Sequence, residues 1–425
     1  MLTPNHSMTT WYEATAKRGN LRPALSGAIE ADVCVIGGGL AGLTTALELS
    51  RRGVPVVLLE ANRLAWAASG RNGGFVSNGF AAGNGEIENR VGRQASRALY
   101  ELSRLGTEYV RREIAEGEPA IKMGEGWLGA LRHDGGSAKD DEAGAAMRWY
   151  GQEKQTLSVA ETRTLLVSER YFQSSLDPTA FHIHPLRYAL MLAAKLETAG
   201  GRIFENSAAI SVSRNGTRHV VRTADGAVTA AHVVYCVSSL DRTIHRATGR
   251  AVLPVATYIA VTEPLQQDAI RTTHAVSDSR RAGNYFRLID EGRILWGGAI
   301  TTKLSEPARL GEGMKRDMLN VFPQLGNPRI DYAWVGLMGY ARHMMPLIGT
   351  DGAGQWWATA FGGHGMNTTA MGGLLISRAI AAKDDEYRRF EPFAPVWAGG
   401  PFGRLGVQAS YWFMQWQDAR DERRG

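Results

Sequence analysis

Three glycines near the start of the chain have the spacing of a dinucleotide-binding turn. In the run GGGLAG, Gly37, Gly39 and Gly42 follow the pattern G-x-G-x-x-G. The first glycine permits a tight turn, the second lets the backbone approach a pyrophosphate, and the third lets a helix pack closely on a strand. Glu60 follows eighteen positions after Gly42, where a carboxylate accepts hydrogen bonds from ribose hydroxyls. This spacing predicts a site for a redox dinucleotide, either NAD or FAD.

The elements around these glycines come in the order that such a site requires. The apolar pattern predicts a buried strand over 32–36, a helix over 40–52 and a second buried strand over 55–59. The N-terminus of that helix offers free N–H groups and a positive dipole to phosphates. A βαβ turn that needs glycine only for packing is the alternative. A second run with the same glycine spacing, GEGWLG at 124–129, has neither a buried strand before it nor an apolar helix after it, so we discard it.

A second glycine cluster near the end of the chain favours FAD over NAD. The run GGHGMN at 362–367 opens a predicted helix, and the run SGRNGG at 69–74 follows the first βαβ unit. A helix N-terminus stabilises the negative charge that the pyrimidine edge of a flavin gains on reduction. A further βαβ fingerprint for a nicotinamide is absent from the sequence.

Several runs, in order, resemble one family of flavoenzymes. They are DVCVIGGGLAGL, VVLLEA, ASGRNGG, HPLRYA, TYIAVTEPL, YFRL, LWGG, MPLIG and FGGHGMN. The chain is similar to the FAD-dependent amine oxidoreductases related to D-amino-acid oxidase, which include glycine oxidase and monomeric sarcosine oxidase. Within them it most resembles the branch of the gamma-glutamylputrescine oxidases.

The resemblance implies an α/β (α+β) fold with a Rossmann-type FAD/NAD(P)-binding domain and an inserted antiparallel-sheet substrate domain. The implied boundaries are 30–90, 170–250 and 334–425 for the discontinuous FAD-binding domain, and 91–169 and 251–333 for the substrate domain.

The resemblance also implies which residues hold FAD. They are Gly37, Gly39, Leu40, Ala41 and Gly42 at the pyrophosphate, Glu60 at the ribose, Ala61 and Asn62 near the adenine, Ser69, Gly70, Arg71, Asn72 and Gly73 along the pyrophosphate, and Gly362, Gly363, His364, Gly365, Met366 and Asn367 around the far end of the flavin. Arg71 as a surface loop charge and His364 as a structural histidine are the alternatives. Some sarcosine oxidases bind flavin through a cysteine in the region that corresponds to 340–370, which holds no cysteine here. Noncovalent FAD is therefore expected.

The activity implied by the resemblance is oxidation of an amine. Hydride passes from the carbon that bears nitrogen to the flavin, the imine hydrolyses to an aldehyde or keto acid, and dioxygen reoxidises the flavin to give hydrogen peroxide. The substrate is expected to be an amino acid, an N-methyl amino acid or a gamma-glutamyl polyamine. One alternative is a dehydrogenase on the same fold that passes electrons to a quinone or another carrier. A flavoprotein that serves as a scaffold without turnover is the other.

Six residues are candidates for the reaction itself. Tyr258, Tyr285 and Arg287 lie on strand-like runs that by resemblance wall the substrate side, where an arginine can clamp a carboxylate; sheet packing is the alternative for both tyrosines. Arg342 and His343 precede MPLIG and approach the flavin by the same resemblance. Sarcosine oxidase uses a lysine for oxygen on the strand that reads RILWGG here, a run without lysine. Arg342, His343 and His364 are the expected sources of positive charge instead.

Composition argues against several other classes of function. The net charge is +6 with scattered arginines, so nucleic-acid binding is not expected. His182 and His184 lack nearby cysteine or carboxylate partners in the sequence, so no metal site is predicted. The two cysteines lie in apolar runs, and neither a signal peptide nor a membrane-spanning run is recognisable. These features predict a cytoplasmic protein.

The tail QASYWFMQWQDARDERRG is aromatic and helix-like. Because aromatic side chains at this density usually bury their area against protein, the tail is expected to pack on the body of the protein. A helix that lies on a membrane surface is the alternative, and membrane association is not expected.

Overall fold

The computed structural model describes residues 10–134, 147–240, 242–281 and 283–422. The helices with defined bounds are α1 Trp11–Thr15, α2 Leu40–Arg51, α3 Asn84–Val91, α4 Arg93–Glu116, α5 Val159–Leu165, α6 Pro185–Thr198, α7 Arg246–Ala251, α8 Leu310–Val321, α9 Gly365–Ala382 and α10 Gly400–Asp421. The strands are β1 Gly27–Ile36, β2 Val56–Leu59, β3 Phe75–Val76, β4 Lys122–Ala130, β5 Gln155–Leu157, β6 Ser174–Ile183, β7 Arg202–Phe204, β8 Ser211–Asn215, β9 Arg218–Arg222, β10 Gly226–Tyr235, β11 Val252–Thr262, β12 Ala275–Asp278, β13 Tyr285–Ile289, β14 Arg293–Thr301, β15 Ile330–Ala341, β16 Leu347–Thr350 and β17 Gln355–Thr359.

The first sheet is parallel at its centre. Its order is β16–β17–β10–β1–β2–β7, and β9 and β8 extend it beside β10. Strand β1 pairs in parallel with both β2 and β10, and β2 pairs in parallel with β7. The inner strands are apolar because parallel strands are covered on both faces. This is the βαβ arrangement that the first glycine motif predicts.

The second sheet is mostly antiparallel. Its order is β15–β11–β14–β13–β12–β4–β6–β3, with β5 paired to β6, and only the β12–β4 pair among these is parallel. One face packs against α8 through a cluster that includes Phe286, Trp296 and Met314. The other face is turned toward the first sheet's side of the molecule, where Phe75, Trp127 and Tyr285 meet edge to face. The α/β fold class with an antiparallel second sheet is thus confirmed.

The predicted domain boundaries stay a prediction, and the two sheets do not divide the chain in the same way. Strand β6 lies within the predicted FAD segment 170–250, and β15 lies largely within the segment 334–425. Both strands belong to the second sheet.

The predicted strands over 32–36 and 55–59 and the predicted helix over 40–52 correspond to β1, β2 and α2. The charged, helix-periodic segment from 86 to 116 forms two helices, α3 and α4, which are separated at Gly92. Gly92 has φ +81°, a left-handed conformation that only glycine adopts without strain. The discarded GEGWLG run lies within strand β4, so its glycines do not form a turn between a strand and a helix.

The C-terminal helix α10 packs differently from expectation. Its large aromatic side chains Trp412, Phe413 and Trp416 are each more than half exposed. The contacts with the body are polar instead, for example from Gln408 to Thr301 and Thr302. The expectation that the aromatic residues pack on the body is therefore wrong. Residues 423–425 of this tail lie outside the described residues.

Candidate active site

One cavity of about 420 Å³ lies between the two sheets, within the usual size range of small-molecule and cofactor sites. Its walls come from the first glycine turn, the 60–75 loop, the segment after β10, the cavity-facing side of the second sheet, and the start of α9. A ligand-binding crevice at the carboxyl ends of parallel strands is the usual location in such folds.

The first glycine turn is packed so closely that side chains cannot be added. Gly37 has φ +109°, and a Cβ atom there would lie 2.6 Å from the Cys236 carbonyl oxygen. A Cβ on Gly42 would lie 1.9 Å from the Gly37 carbonyl oxygen. Gly42 therefore allows α2 to pack on the turn, whereas Gly37, Gly39, Leu40 and Ala41 line the cavity. Gly39 provides no side-chain cap for α2. The Leu40 N–H donates to Ser69 Oγ, and the next N–H groups of the first turn are available to a phosphate.

Glu60 lies at the end of β2 and lines the cavity. Its carboxylate accepts hydrogen bonds from the Gly38 N–H at 2.7 Å and the Asn62 N–H at 2.8 Å. Burial raises the pKa of Glu60, and these backbone hydrogen bonds oppose that rise. Ala61 and Asn62 themselves are exposed and lie outside the described lining, so Asn62 acts here through its backbone.

The SGRNGG loop passes along the cavity wall. Ser69 Oγ accepts a hydrogen bond from the Leu40 N–H at 3.0 Å, which ties the loop to the start of α2. Asn72 donates to the Ala68 carbonyl at 2.9 Å and accepts from the Gly74 N–H. Ser69, Asn72 and Gly73 line the cavity. Gly70 is buried behind it, where a Cβ would lie 2.3 Å from the Ala65 carbonyl oxygen.

Arg71 lines the cavity and is not a freely solvated loop charge. Its Nε donates to the Trp66 carbonyl at 3.0 Å, and its guanidinium carbon lies 5.6 Å from the centre of the Trp66 ring. Burial lowers its pKa. Arg71 and Trp66 together form a cationic and aromatic part of the wall.

The GGHGMN run closes the cavity at the start of α9. Gly362, Gly363, His364, Gly365 and Met366 all line the cavity. Gly362 has φ +61°, and a Cβ there would lie 2.7 Å from the Tyr340 ring. Glycine is required there because Tyr340 occupies the space that a side chain would need.

His364 precedes α9 and is held by the 77–78 segment. Its Nε2 lies 3.2 Å from Ser77 Oγ and 3.1 Å from the Asn78 carbonyl oxygen. Since a carbonyl only accepts, Nε2 carries a proton. Burial lowers the pKa of His364, so the ring is neutral at neutral pH. Asn367 is buried outside the lining and donates to the carbonyls of Gly79 and Ser103, which joins α9 to α4.

Two of the predicted catalytic residues lie on opposite faces of the second sheet, because successive side chains of a strand point to alternate faces. Tyr285 on β13 faces the cavity, and a Cβ on Gly297 would lie 2.0 Å from the Tyr285 ring. Tyr258 on β11 points to the opposite face, where it joins the apolar cluster against α8. Its neighbour Thr257 faces the cavity in its place. Tyr258 is therefore a packing residue in the structure.

Arg287 shares the face of Tyr285 but is fully buried behind the cavity wall. Its guanidinium donates to His182 Nδ1 at 2.7 Å, Tyr12 Oη at 3.0 Å and the Ile183 carbonyl at 3.0 Å. Burial and the nearby Arg287 lower the pKa of His182 to about 3. Arg287 joins β13 to α1 and β6, and it lies outside the described lining.

Arg342 and His343 lie outside the described cavity lining as well. The Arg342 side chain is exposed. His343 Nδ1 accepts from the Met345 N–H at 3.2 Å, and its ring centre lies 5.5 Å from that of Phe393. Neither side chain lines the cavity, and their approach to the flavin stays a prediction.

Sequence reasoning missed several residues of the second sheet that line the cavity. Trp127 donates from Nε1 to Ser277 Oγ at 2.8 Å, and its ring is parallel to that of His364 with centres 6.4 Å apart. Asn284 and Arg280 also line this wall. Trp127 lies in the discarded GEGWLG run, and nothing in a strand pattern alone marks its cavity-facing side.

The residues present fit FAD. Glycines permit close backbone approach at both ends, two helices begin at the cavity, and a carboxylate stands at the end of β2. Three buried polar atoms of lining residues have no hydrogen-bond partner among the described residues, namely Asp278 Oδ2, Asn284 Nδ2 and Thr359 Oγ1. Buried polar groups without partners are rare, so a polar ligand would complete this site.

Comparison with known proteins assigns the class. Residues 32–379 match the DAO family of FAD-dependent oxidoreductases, and the chain belongs to this family. It is therefore an FAD-dependent oxidoreductase.

The relatives narrow the comparison further. The chain is 31% identical over 422 residues to gamma-glutamylputrescine oxidoreductase of Escherichia coli strain K12, which covers 96% of this chain and 98% of that protein. Among solved structures it is similar to glycine oxidase of Bacillus cereus, with a TM-score of 0.70, 18% identity, and coverage of 84% of this chain and 96% of that one. It is also similar to L-proline dehydrogenase of P. horikoshii, with a TM-score of 0.69, 18% identity, and coverage of 88% of this chain and 100% of that one. At such identity the two structures support the fold alone.

Two further features are absent from the described residues. They hold no group of three or more histidine, cysteine or acidic residues placed to bind a metal ion. None of the helices within the described ranges is long and apolar enough to cross a membrane.

Proposed function

We propose that this protein oxidises an amine with noncovalently bound FAD. The observation that carries the proposal is the cavity itself, because it joins the first glycine turn, the start of α9 and the Tyr285 face of the second sheet. When bound, FAD supplies the two-electron acceptor that takes hydride from the carbon bearing nitrogen and is then reoxidised by dioxygen, giving hydrogen peroxide.

The chain's own residues would bind and orient the cofactor. Gly37, Gly39 and the N-terminus of α2 bind the pyrophosphate, and Glu60 accepts from the ribose hydroxyls. His364 and the N–H groups at the start of α9 stand at the flavin's far end. Because His364 is neutral, the helix dipole supplies the positive potential there.

The second sheet would form the substrate side. Tyr285 and Trp127 present aromatic faces to the cavity, and Thr257 lies within hydrogen-bonding reach of the Tyr285 hydroxyl. Hydride leaves an amine only when the nitrogen lone pair is free, so the substrate must react as the neutral amine. Partial desolvation in an aromatic cavity, with Arg71 and Arg280 on its wall, lowers the pKa of a bound ammonium.

The substrate class that we propose is an amine that also carries a carboxylate, with a gamma-glutamyl polyamine as the first choice. The E. coli relative named for such a substrate supports this choice. Arg280 lines the cavity and is bound by the carboxylate of Glu422 at 2.5 and 2.9 Å. A guanidinium that binds the carboxylate of Glu422 in bidentate fashion can bind the carboxylate of a substrate in its place.

A dehydrogenase that passes electrons to a quinone or carrier is the second candidate. The observation that favours it is the lack of lysine among the described lining residues, since no flexible ammonium then stands beside the flavin to attract dioxygen. Arg71 and Arg280 are the lining cations that could do so.

Turnover in air tests the two candidates together. Purified protein is given gamma-glutamylputrescine, putrescine, sarcosine, glycine and common amino acids, and oxygen uptake, peroxide and aldehyde or keto acid are measured. The proposal predicts stoichiometric peroxide and carbonyl product with one of them. Carbonyl product that forms only with a dye acceptor would identify the dehydrogenase, and no product with any amine or acceptor would contradict amine oxidation.

A further inference from the structure

We propose that α10 is a dimerisation helix, on which a second copy of this chain packs. The contact surface is the aromatic stripe, defined as Phe402, Leu405, Ala409, Trp412, Phe413 and Trp416. This inference is independent of the substrate and of the electron acceptor.

The stripe has the spacing of one helix face. Phe402, Leu405 and Ala409 are three and four residues apart. Trp412 and Phe413 follow Ala409 by three and four residues and precede Trp416 by four and three, which places all six on one side of an α-helix. Phe402 is 79% exposed, Leu405 is 69% exposed and Trp412 is 59% exposed. Amphipathic helices of globular proteins normally turn such a face to the core, so its exposure indicates that another molecule binds there.

The polar side of α10 is already committed to the body of the protein. Gln408 accepts from Thr301 Oγ1 at 2.8 Å and from the Thr302 N–H at 2.9 Å. Asp418 pairs with Arg281 at 2.6 Å. These polar contacts fix the rotation of the helix, and the stripe cannot turn inward without breaking them.

The exposed area suits a protein interface. From the exposed fractions and about 150–250 Å² for each aromatic side chain, the four aromatic members of the stripe offer about 375–625 Å², to which Leu405 adds. The largest apolar patch of a typical monomer is about 300–600 Å². A standard stable interface buries about 800 Å² on each partner, which stripe-to-stripe packing with its rim would approach.

The composition of the stripe favours a second copy over a lipid surface. Helices that lie on membranes carry lysine and arginine on a solvent-facing polar side, whereas the polar side of α10 faces the body and α10 contains no lysine. Aromatic residues and arginine are enriched at protein interfaces and lysine is depleted. Arg420, whose guanidinium carbon lies 5.3 Å from the Trp416 ring centre, fits that pattern.

Small residues within and beside the stripe would let two helices approach closely. Gly406 is exposed, and a Cβ there would meet nothing within 4 Å. Ala409 is exposed as well. Two copies of α10 that cross at these positions around a twofold axis would each present Phe402 and Leu405 to Trp412 and Trp416 of the other copy, as an isologous interface requires.

The test compares the association of three forms of the full-length, FAD-loaded protein by sedimentation velocity over a concentration series. The stripe variant is Trp412→Glu with Trp416→Glu. The matched control, Ser410→Glu with Gln415→Glu, adds the same charge at two exposed positions of α10 that lie off the stripe. Leu405→Glu is a milder stripe variant, and flavin content and melting temperature report folding of each form.

The proposal predicts that the wild type and the control are dimers. The stripe variant should be a folded monomer, with a dimer dissociation constant raised at least about 100-fold because central tryptophans are typical hot spots, and Leu405→Glu should show a smaller rise. A wild type that is monomeric throughout the series overturns the proposal, and so does a stripe variant that dimerises as the control does. A monomeric wild type that floats with vesicles of anionic phospholipid would assign the stripe to a lipid surface instead.

Discussion

At the scale of single residues, the cavity depends on which face of a strand a side chain takes. Tyr285 and Tyr258 both come from strands of the second sheet, yet only Tyr285 faces the cavity. Gly297 leaves the space for the Tyr285 ring. We therefore propose that Tyr285 contacts the substrate and that Tyr258 serves in packing, although their sequence contexts look alike.

Removal of one hydroxyl at each position tests this difference. Tyr285→Phe should lower kcat/KM for the amine substrate about 10-fold, which corresponds to the loss of one hydrogen bond of about 1.4 kcal/mol. Tyr258→Phe is the control and should stay within about two-fold of wild type, since the Tyr258 hydroxyl makes only a 3.4 Å contact with the Ser305 carbonyl. Equal losses in the two variants, measured with unchanged flavin content, would contradict the assignment of faces.

Gly42 provides a second test at this scale. Gly42→Ala places a methyl group 1.9 Å from the Gly37 carbonyl oxygen, so α2 must move away from the turn that binds the pyrophosphate. Such overpacking costs about 1–3 kcal/mol, and we expect FAD affinity to fall at least about 10-fold.

The control for Gly42 is Gly313→Ala in α8, where a Cβ meets nothing within 4 Å. That variant should retain FAD and gain up to about 1 kcal/mol of helix stability. Titration of both apoproteins with FAD measures their affinities for the cofactor. Undiminished binding by Gly42→Ala would show that the turn does not hold the cofactor.

At the scale of elements, one buried carboxylate joins three helices behind the cofactor site. Glu113 on α4 is fully buried and binds Arg51 on α2 at 2.7 Å and Lys195 on α6 at 2.7 Å. Burial raises the pKa of Glu113, but the hydrogen bonds from Arg51 and Lys195 outweigh it and bring the pKa to about 2. Helix α2, which begins at the pyrophosphate turn, is thereby fixed to the helices around it.

The pH dependence of stability follows from that lowered pKa. Since the folded pKa lies below the unfolded value of about 4.3, the stabilisation is present above about pH 4.3 and is lost as pH falls toward 2. Glu113→Gln should lose about 2 kcal/mol of unfolding free energy at pH 7, less than the full pKa difference because Arg51 and Lys195 are partly exposed.

Urea unfolding at several pH values checks this prediction. The gap between wild type and Glu113→Gln should narrow below about pH 4.3. The exposed neighbour Glu116→Gln on the same helix should follow the wild-type curve. A gap that stays constant from pH 7 to pH 3 would contradict the role given to Glu113.

The elements themselves were largely predictable, and the side-chain directions were not. Buried strands 32–36 and 55–59 and the helix after Gly39 follow from apolar periodicity and glycine spacing. Strand β11 is buried along its entire length, so no alternation in the sequence shows that Thr257 rather than Tyr258 faces the cavity. The position of Arg287 behind the wall depends on Tyr12 and His182, which lie far from it in the sequence.

The side-chain directions of the C-terminal helix could not be predicted for the same reason. The helix itself is predicted correctly and is observed over Gly400–Asp421, yet the direction of its aromatic side chains depends on what the rest of the helix contacts. Here Asp418 and Gln408 meet Arg281 and the 301–302 segment, which turns the aromatic residues outward.

At the scale of the whole molecule, the way in which the chain retains FAD is testable. Cys236 is the cysteine that lines the cavity, and burial raises its pKa to about 12. A thiol in this state is a poor nucleophile, so we expect no bond to the flavin. Acid precipitation should release all FAD into the supernatant. Flavin that stays with the pellet of wild type but not of Cys236→Ser would overturn the noncovalent assignment.

In the proposed reaction, an amine bound against the second sheet reduces FAD held by the first glycine turn and α9. To test it, the purified, FAD-loaded protein is mixed with gamma-glutamylputrescine and the other amines in the absence of air, and the oxidised-flavin absorbance is followed. We expect one amine to bleach this band completely within a turnover, whichever acceptor later reoxidises the cofactor. A yellow protein whose band no amine bleaches, while dithionite does, would contradict amine oxidation at this site.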